Sequence, residues 1–194
     1  MRILVVHAHP VPESFGGAVR DEVMSTLSAK GHELRLIDLY ALGFDPVMRA
    51  GERSLYYDGE PSDPELRSHI EAVRWAEGVV FVYPTWWCGL PAILKGWFDR
   101  VWALDVAFRM AAGGGIVALM TNIRLLAVVT TCGASLWESH LVGHPGRRTI
   151  LSGIRAICAP GAKTLFLAHY GMDRSTPKSR AAYLGKVRRK LARV

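Results

Sequence analysis

The sequence predicts an α/β domain built on a doubly wound parallel sheet with helices on both faces. Three observations carry this reading. Apolar runs rich in β-branched residues recur along the chain, stretches of helical periodicity separate them, and turn residues fall between the two. Strands buried on both faces read as near-continuous apolar runs, and helical crossovers between them impose a parallel, right-handed topology.

Residues 2–8 form the first strand. A loop over residues 9–16 leads into a helix with Val19, Val23 and Leu27 on one side, and Lys30-Gly31 stops it with a left-handed cap. Residues 33–39 are the second strand. Residues 40–62, rich in Gly, Asp and Pro, read as an irregular connection. Asp63-Pro64 restarts a helix carrying Leu66, Ile70 and Val73. Residues 78–83 are the third strand, and the helix after it opens at Pro91 and aligns Leu94, Trp97, Phe98 and Val101 on one face. Residues 125–131 are the fourth strand. Residues 147–158 read as a helix turning Ile150, Leu151, Ile154 and Cys158 inward, residues 163–168 as the fifth strand, and Thr176-Pro177 opens the last helix. No repeat or linker interrupts this order, so residues 1–194 are expected to form a single domain.

Composition excludes several classes. Half of the 194 residues are hydrophobic, which argues against disorder. The most apolar stretch, residues 116–129, is short and broken by Asn122 and Arg124, so no membrane span is expected. Three cysteines without paired short spacing fit neither a disulfide scaffold nor a zinc site, and no metal is expected. A reducing cytoplasm suits them.

The net charge of +7 is uneven. From Lys163 to Val194 there are nine Lys/Arg and one acid, so the whole excess lies in the last helix and its approach. Leu184, Val187, Leu191 and Val194 form an apolar stripe there, with cations filling most other positions. The plain reading is a docked helix with a solvated basic face. An anionic membrane surface is the sharper one; no nucleic-acid recognition motif accompanies the charge.

Three loops follow the C-terminal ends of strands one, three and four and should converge, because open α/β sheets bind ligands there. The first holds His9, Ser14 and Phe15 and ends at a helix N-terminus, which favours a phosphate. Next comes Pro84-Thr85-Trp86-Trp87-Cys88-Gly89, pairing stacking surface with close backbone approach. The third is Thr130-Thr131-Cys132-Gly133.

The segment from Tyr83 to Arg100, above all Pro91 to Arg100, resembles the flavin loop and helix of the NAD(P)H:quinone reductases, the DT-diaphorase-like branch of the flavodoxin-like fold. The resemblance implies the flavodoxin-like strand order 2-1-3-4-5 and a non-covalent FAD or FMN. It assigns His9, Ser14 and Phe15 to the flavin phosphate, Pro84 to Cys88 to the ring, and Thr130, Thr131, Cys132 and Gly133 to its pyrimidine end. His144 falls at the family's catalytic histidine, with Glu138 where its tyrosine partner stands; Phe108 and Met110 fall at two substrate-pocket tyrosines. Cys88, where the family often has phenylalanine, reads as a packing thiol, and one of the two tryptophans as a core or interface residue. The resemblance further implies a homodimer that passes hydride from NAD(P)H through the flavin to a quinone or another flat acceptor. Other relatives reduce azo or nitro compounds, or serve as ancillary subunits of potassium-efflux antiporters, a contact the basic C-terminal helix would suit.

Overall fold

Five parallel strands form the central sheet in the order β2-β1-β3-β6-β7 of a computed structural model that describes residues 1–59, 61 and 63–194. The strands are β1 (Arg2–His7), β2 (Glu33–Asp38), β3 (Gly78–Thr85), β6 (Leu125–Cys132) and β7 (Lys163–His169). A two-stranded antiparallel hairpin, β4 (Phe108–Met110) and β5 (Ile116–Ala118), lies apart from it. Sequence periodicity does not show the hairpin, because three residues are too few to establish an alternation. Leaving it aside, the sheet has the expected 2-1-3-4-5 order.

Side chains alternate across the sheet and build two cores. On one face Ile3, Val5, Val80, Val82, Ala127 and Val129 pack beneath α1 (Phe15–Ala29) and α7 (Pro177–Leu191), which contribute Val19, Val23, Leu27, Tyr183, Val187 and Leu191. On the other, Leu4, Val6, Val79, Phe81, Leu126 and Val128 pack beneath α3 (Pro64–Trp75) and α4 (Ala92–Val101). The face predicted for α4 is fully inside: Leu94, Trp97, Phe98 and Val101 are all buried. Gly96, in the same helix, lies against the connection that follows β2, and a Cβ there would clash with the Pro46 carbonyl oxygen.

Besides small shifts at strand ends, four features differ from expectation. Pro91 caps α4 rather than opening it, within the usual uncertainty of a helix end. The connection at 40–62 contains a short helix, α2 (Ala50–Ser54), whose Glu52 holds buried Arg100 through two bonds of 3.0 Å; Ser62 lies outside the described residues. The segment 147–158 is helical but not one α-helix: α6 (Pro145–Arg148) passes into a π turn at Thr149–Gly153 and a 3₁₀ turn at Ile154–Ile157. Ile150 and Cys158 are buried as predicted, and burial pushes the Cys158 thiol up to about 12. A further short helix, α5 (Leu136–Leu141), follows β6.

The sheet places the site by a step in length. β1 pairs with β3 only as far as His7↔Val82, whereas β3 and β6 run on together to Thr85↔Cys132. The connections leave β1 toward α1 on one face and β3 toward α4 on the other, so the projecting ends of β3 and β6 stand beside a crevice at the switch point of strand order.

Candidate functional site

At that crevice opens a cavity of about 260 Å³, lined by Thr85, Trp87 and Cys88 from the β3–α4 turn and by Thr130, Cys132 and Gly133 from the end of β6. Its far wall is His144, Arg147, Phe166 and Tyr170. Such a volume lies just under the range of about 300–1,000 Å³ common for small-molecule clefts, as an open slot covering one part of a larger ligand would.

The β3–α4 turn is tight: Gly89 N–H donates to the Trp86 carbonyl at 2.9 Å, with Trp87 and Cys88 at its corners. Both corners have positive φ, 48° and 61°, a conformation costing an L-residue roughly 1–2 kcal/mol. Trp87 is fully exposed at the tip, and Trp86 is 40% exposed. Neither tryptophan is a core residue of this chain, and Cys88 is exposed rather than packed. Unpaired aromatic surface and backbone strain mark functional turns.

Behind the turn the strand ends are fixed by hydrogen bonds. Thr130 Oγ1 donates to the Tyr83 carbonyl at 2.6 Å and lies 3.0 Å from Thr85 Oγ1, which leaves Thr85 as donor of that pair. Tyr183, from α7, donates to the carbonyls of Thr130 and Leu167 at 2.9 and 3.0 Å. Burial holds its phenol well above the ordinary range. Among the described residues, the N–H groups of Trp87, Cys88, Gly133 and Ala134 donate to no protein acceptor. Four free backbone donors thus ring the cavity.

The β1–α1 loop makes a second cluster of donors. Ser14 is the N-cap of α1 and accepts from Gly17 N–H at 3.2 Å. Its hydroxyl lies 2.9 Å from His9 Nδ1, which also receives Val11 N–H at 3.0 Å. His9 and Ser14 are therefore organised by each other, and the N–H groups of Phe15 and Gly16 in the first turn have no protein acceptor among the described residues. These donors and the helix dipole leave the N-terminus of α1 able to receive an anion. Phe15 turns inward instead, its ring edge-on to His169 at 5.6 Å.

The proposed acid–base pair takes a different form. Glu138 closes a capping box, accepting Ser135 N–H at 2.7 Å, and that bond lowers its carboxyl below the usual range. No ion pair joins it to His144 among the described residues. A glutamate three residues after a serine at a helix start is the capping-box signature. His144 lies instead 3.3 Å from His140, nitrogen to nitrogen, and edge-on to Phe166 and Tyr170. Desolvation, then the His140 and Arg147 charges, lowers its pKa, so the ring is neutral at pH 7. His140 lies close to His144 in the sequence and competes for the same role; α5 ends at Leu141, and it is the turn carrying His144 at φ 49° that brings the two rings together.

The structure brings together Thr85, Trp87, Cys88, Thr130, Cys132, Gly133 and His144. Pro84 and Thr131 pair behind the cavity on the sheet. Phe108 and Met110 do not reach it: both are on the β4–β5 hairpin, Phe108 against the core and Met110 in solvent. Sequence reasoning missed Tyr170, Phe166 and Arg147, whose guanidinium lies 5.4 Å over the Phe166 ring. They come from β7, its exit and α6, which no motif marks.

Comparison with known proteins agrees with this architecture. The family model described as flavodoxin-like fold matches residues 1–159. The human ribosyldihydronicotinamide dehydrogenase [quinone] is 32% identical over 156 residues, covering 70% of this chain and 66% of the relative. The chain spans between about half and two thirds of the length of the curated relatives it matches. Among solved structures, an NAD(P)H:quinone oxidoreductase from Methanothermobacter marburgensis superposes with a TM-score of 0.84 at 26% identity, covering 99% of this chain and 96% of that one. An FMN-dependent NADH-azoreductase from Bacillus anthracis, in complex with FMN, shares the fold at 16% identity, with a TM-score of 0.77 over 100% and 99% of the two chains. The chain belongs to the flavodoxin-like fold family, and the relatives it matches include NAD(P)H:quinone oxidoreductases.

Proposed function

We propose that this protein is a flavin-dependent oxidoreductase that takes hydride from a reduced nicotinamide and delivers two electrons to a quinone. The observation that carries the reading is the set of unsatisfied backbone donors: four around the cavity and two at the α1 N-terminus. A bare chain leaves them to water; a flavin phosphate and a ring accumulating negative charge on reduction would use both sets. The flavin, FMN or FAD, would supply the redox chemistry.

This chain's own residues have definite tasks in that scheme. Ser14, His9 and the first turn of α1 hold the phosphate. Trp87 offers its face for stacking, and the N–H groups of Trp87, Cys88, Gly133 and Ala134 receive negative charge. His144, neutral and backed by His140, is placed to give a proton to, or take one from, an acceptor lying in the slot. Tyr170 walls the slot, with its phenol held protonated by burial.

A homodimer follows from the mouth of the site. Trp87 on the β3–α4 turn and Leu136, Trp137, Leu141 and Val142 on and after α5 are exposed, and apolar surface of this kind supports pairing with a second copy. Phe108 and Met110 would contribute to the acceptor pocket only across such an interface. The site of action we propose is the cytoplasm; no helix among the described residues is long and apolar enough to cross a membrane.

The test is an absorbance spectrum of the purified protein after titration with FMN and, separately, FAD. A flavin spectrum that bleaches with NADPH or NADH under anaerobic conditions and returns on adding a quinone is expected. A protein that takes up neither flavin would overturn the reading.

A further inference from the structure

At the other end of the sheet, where β6 and β7 begin, lies a groove of about 560 Å³ lined by Lys163, Lys190 and Arg193, with Leu165 and Val194 beside them. We propose that this groove and the adjoining face of α7 form a docking surface for anionic phospholipid. Lys186, Arg189 and Lys190 follow one another at helical spacing, and Arg193 continues the row past the last turn. All four are exposed, as is Lys163, and none makes an ion pair among the described residues.

The neighbouring charges sharpen the contrast. Arg188, on the same helix, is clamped by Glu22 through two bonds of 2.8 Å, and Arg124 in the groove wall is paired with Glu77. The structure thus pairs the arginines it uses for folding and leaves a separate row of five cations without counter-ions. The buried stripe of α7, Tyr183, Val187 and Leu191, is committed to the core, so this helix cannot insert into a bilayer. Attraction is electrostatic, worth roughly fivefold in partitioning for each Lys or Arg brought to an anionic surface. The groove decides between polyanions. Leu165 and Val194, packed against the core, wall a closed-ended cleft beside the cations, which suits a compact phosphate headgroup presented at a membrane surface better than the continuous backbone of a nucleic acid or an acidic peptide.

Docking here leaves the redox cavity free, because strands of eight residues separate the two ends by roughly 26 Å. The inference is thus independent of flavin chemistry.

The experiment is vesicle co-sedimentation of the full chain at low salt. Vesicles of phosphatidylcholine are compared with vesicles in which roughly a quarter of the lipid is phosphatidylserine, anionic as the cytoplasmic leaflet is. The protein is expected on the anionic vesicles alone and to be released at high salt. A triple variant, Lys186→Glu, Lys190→Glu and Arg193→Glu, should lose at least about 100-fold in partitioning, three fivefold factors. A control with the same change in net charge elsewhere, Arg49→Glu, Arg67→Glu and Arg109→Glu, should keep most of the binding. Far-UV circular dichroism and flavin uptake should match the parent in both variants. No preference for anionic vesicles, an equal loss in the control, or equal competition by double-stranded DNA and by soluble headgroup-like phosphate at matched charge would overturn the proposal.

Discussion

Replacing Gly17 by alanine should damage phosphate binding more than it damages the fold. Gly17 is in the first turn of α1, and a Cβ there would stand 1.9 Å from the Pro12 carbonyl oxygen. Contacts below 3.0 Å do not survive, so the Pro12 backbone must retreat by at least about 1.1 Å. Two effects compete in the apo protein. Alanine gains about 0.8–1.0 kcal/mol of helix propensity over glycine, while overpacking costs typically about 1–3 kcal/mol, toward the upper end against rigid backbone. Sterics win, for a net loss near 1–2 kcal/mol.

The functional loss is larger, because residues 12–14 carry the proposed phosphate site. Ser14 caps Gly17 N–H and contacts His9 through the same hydroxyl, so a shift of Pro12 disengages both. Losing one charge-assisted contact to the phosphate amounts to about 1.5–3 kcal/mol, or roughly 10- to 150-fold in dissociation constant. Fluorescence titration with FMN and with riboflavin, which lacks the phosphate, isolates the effect. FMN affinity should fall by that factor while riboflavin affinity changes little. Equal losses for both ligands, or none for FMN, would refute the assignment of α1 as the phosphate site. Gly185→Ala is the matched control: it is helical, and its Cβ would meet only the mobile end of Arg189 at 3.4 Å. It should stabilise by up to about 1 kcal/mol.

Cys88→Gly should relieve the left-handed corner of the β3–α4 turn. The roughly 1–2 kcal/mol of strain is partly offset by glycine's larger unfolded-state entropy, so thermal unfolding should show a gain of up to about 1 kcal/mol. Tyr183→Phe removes the donor shared by the Thr130 and Leu167 carbonyls; urea unfolding should report a loss of about 1–3 kcal/mol, with flavin affinity reduced because Thr130 loosens. Acid should destabilise the fold through its buried histidines. Burial lowers the pKa of His7 and of His69, which accepts the Trp97 indole N–H at 3.2 Å. The unfolded chain therefore binds more protons below pH 6.5, so stability is full above that value and falls as pH drops through the folded pKa values. His69→Gln, which keeps an acceptor for Trp97, should flatten the slope of unfolding free energy as pH falls below 6.5. An unchanged slope would remove His69 from the account.

What was legible in the sequence was whatever repeats or is buried. β1, β3 and β6 announce themselves because a strand covered on both faces must be apolar throughout, and α4 because one face of ten residues meets the core. The β4–β5 hairpin and the π and 3₁₀ turns at 149–157 carry no such period; tertiary contacts shape them. The site divides the same way. Chain order predicts that loops after β1, β3 and β6 converge, since topology alone brings them there. It does not predict which side chains point into the slot. Glu138 follows its own helix end instead of His144, and Arg147 and Tyr170 reach the cavity from segments with no motif.

The two ends of this sheet differ for a physical reason. At the amino ends of β1, β3, β6 and β7 the chain enters level strands, and its polar groups are tied off locally: Glu77 N–H to Arg2, Arg124 N–H to Glu77, Lys163 N–H to Arg124. That end presents only side chains, and its chemistry is charge. At the carboxyl ends β3 and β6 outrun β1, and the chain must turn away in opposite directions around the switch point. Turning leaves backbone donors without acceptors and forces Trp87 and Cys88 into strained corners. For a bare chain the strained corners cost roughly 1–2 kcal/mol each, and the donors are met only by water. Both become favourable once an anionic, planar ligand meets the donors and stacks on the corner. The strain at this end in isolation is therefore an argument for its function, and it explains why Cys88→Gly should make the bare chain more stable.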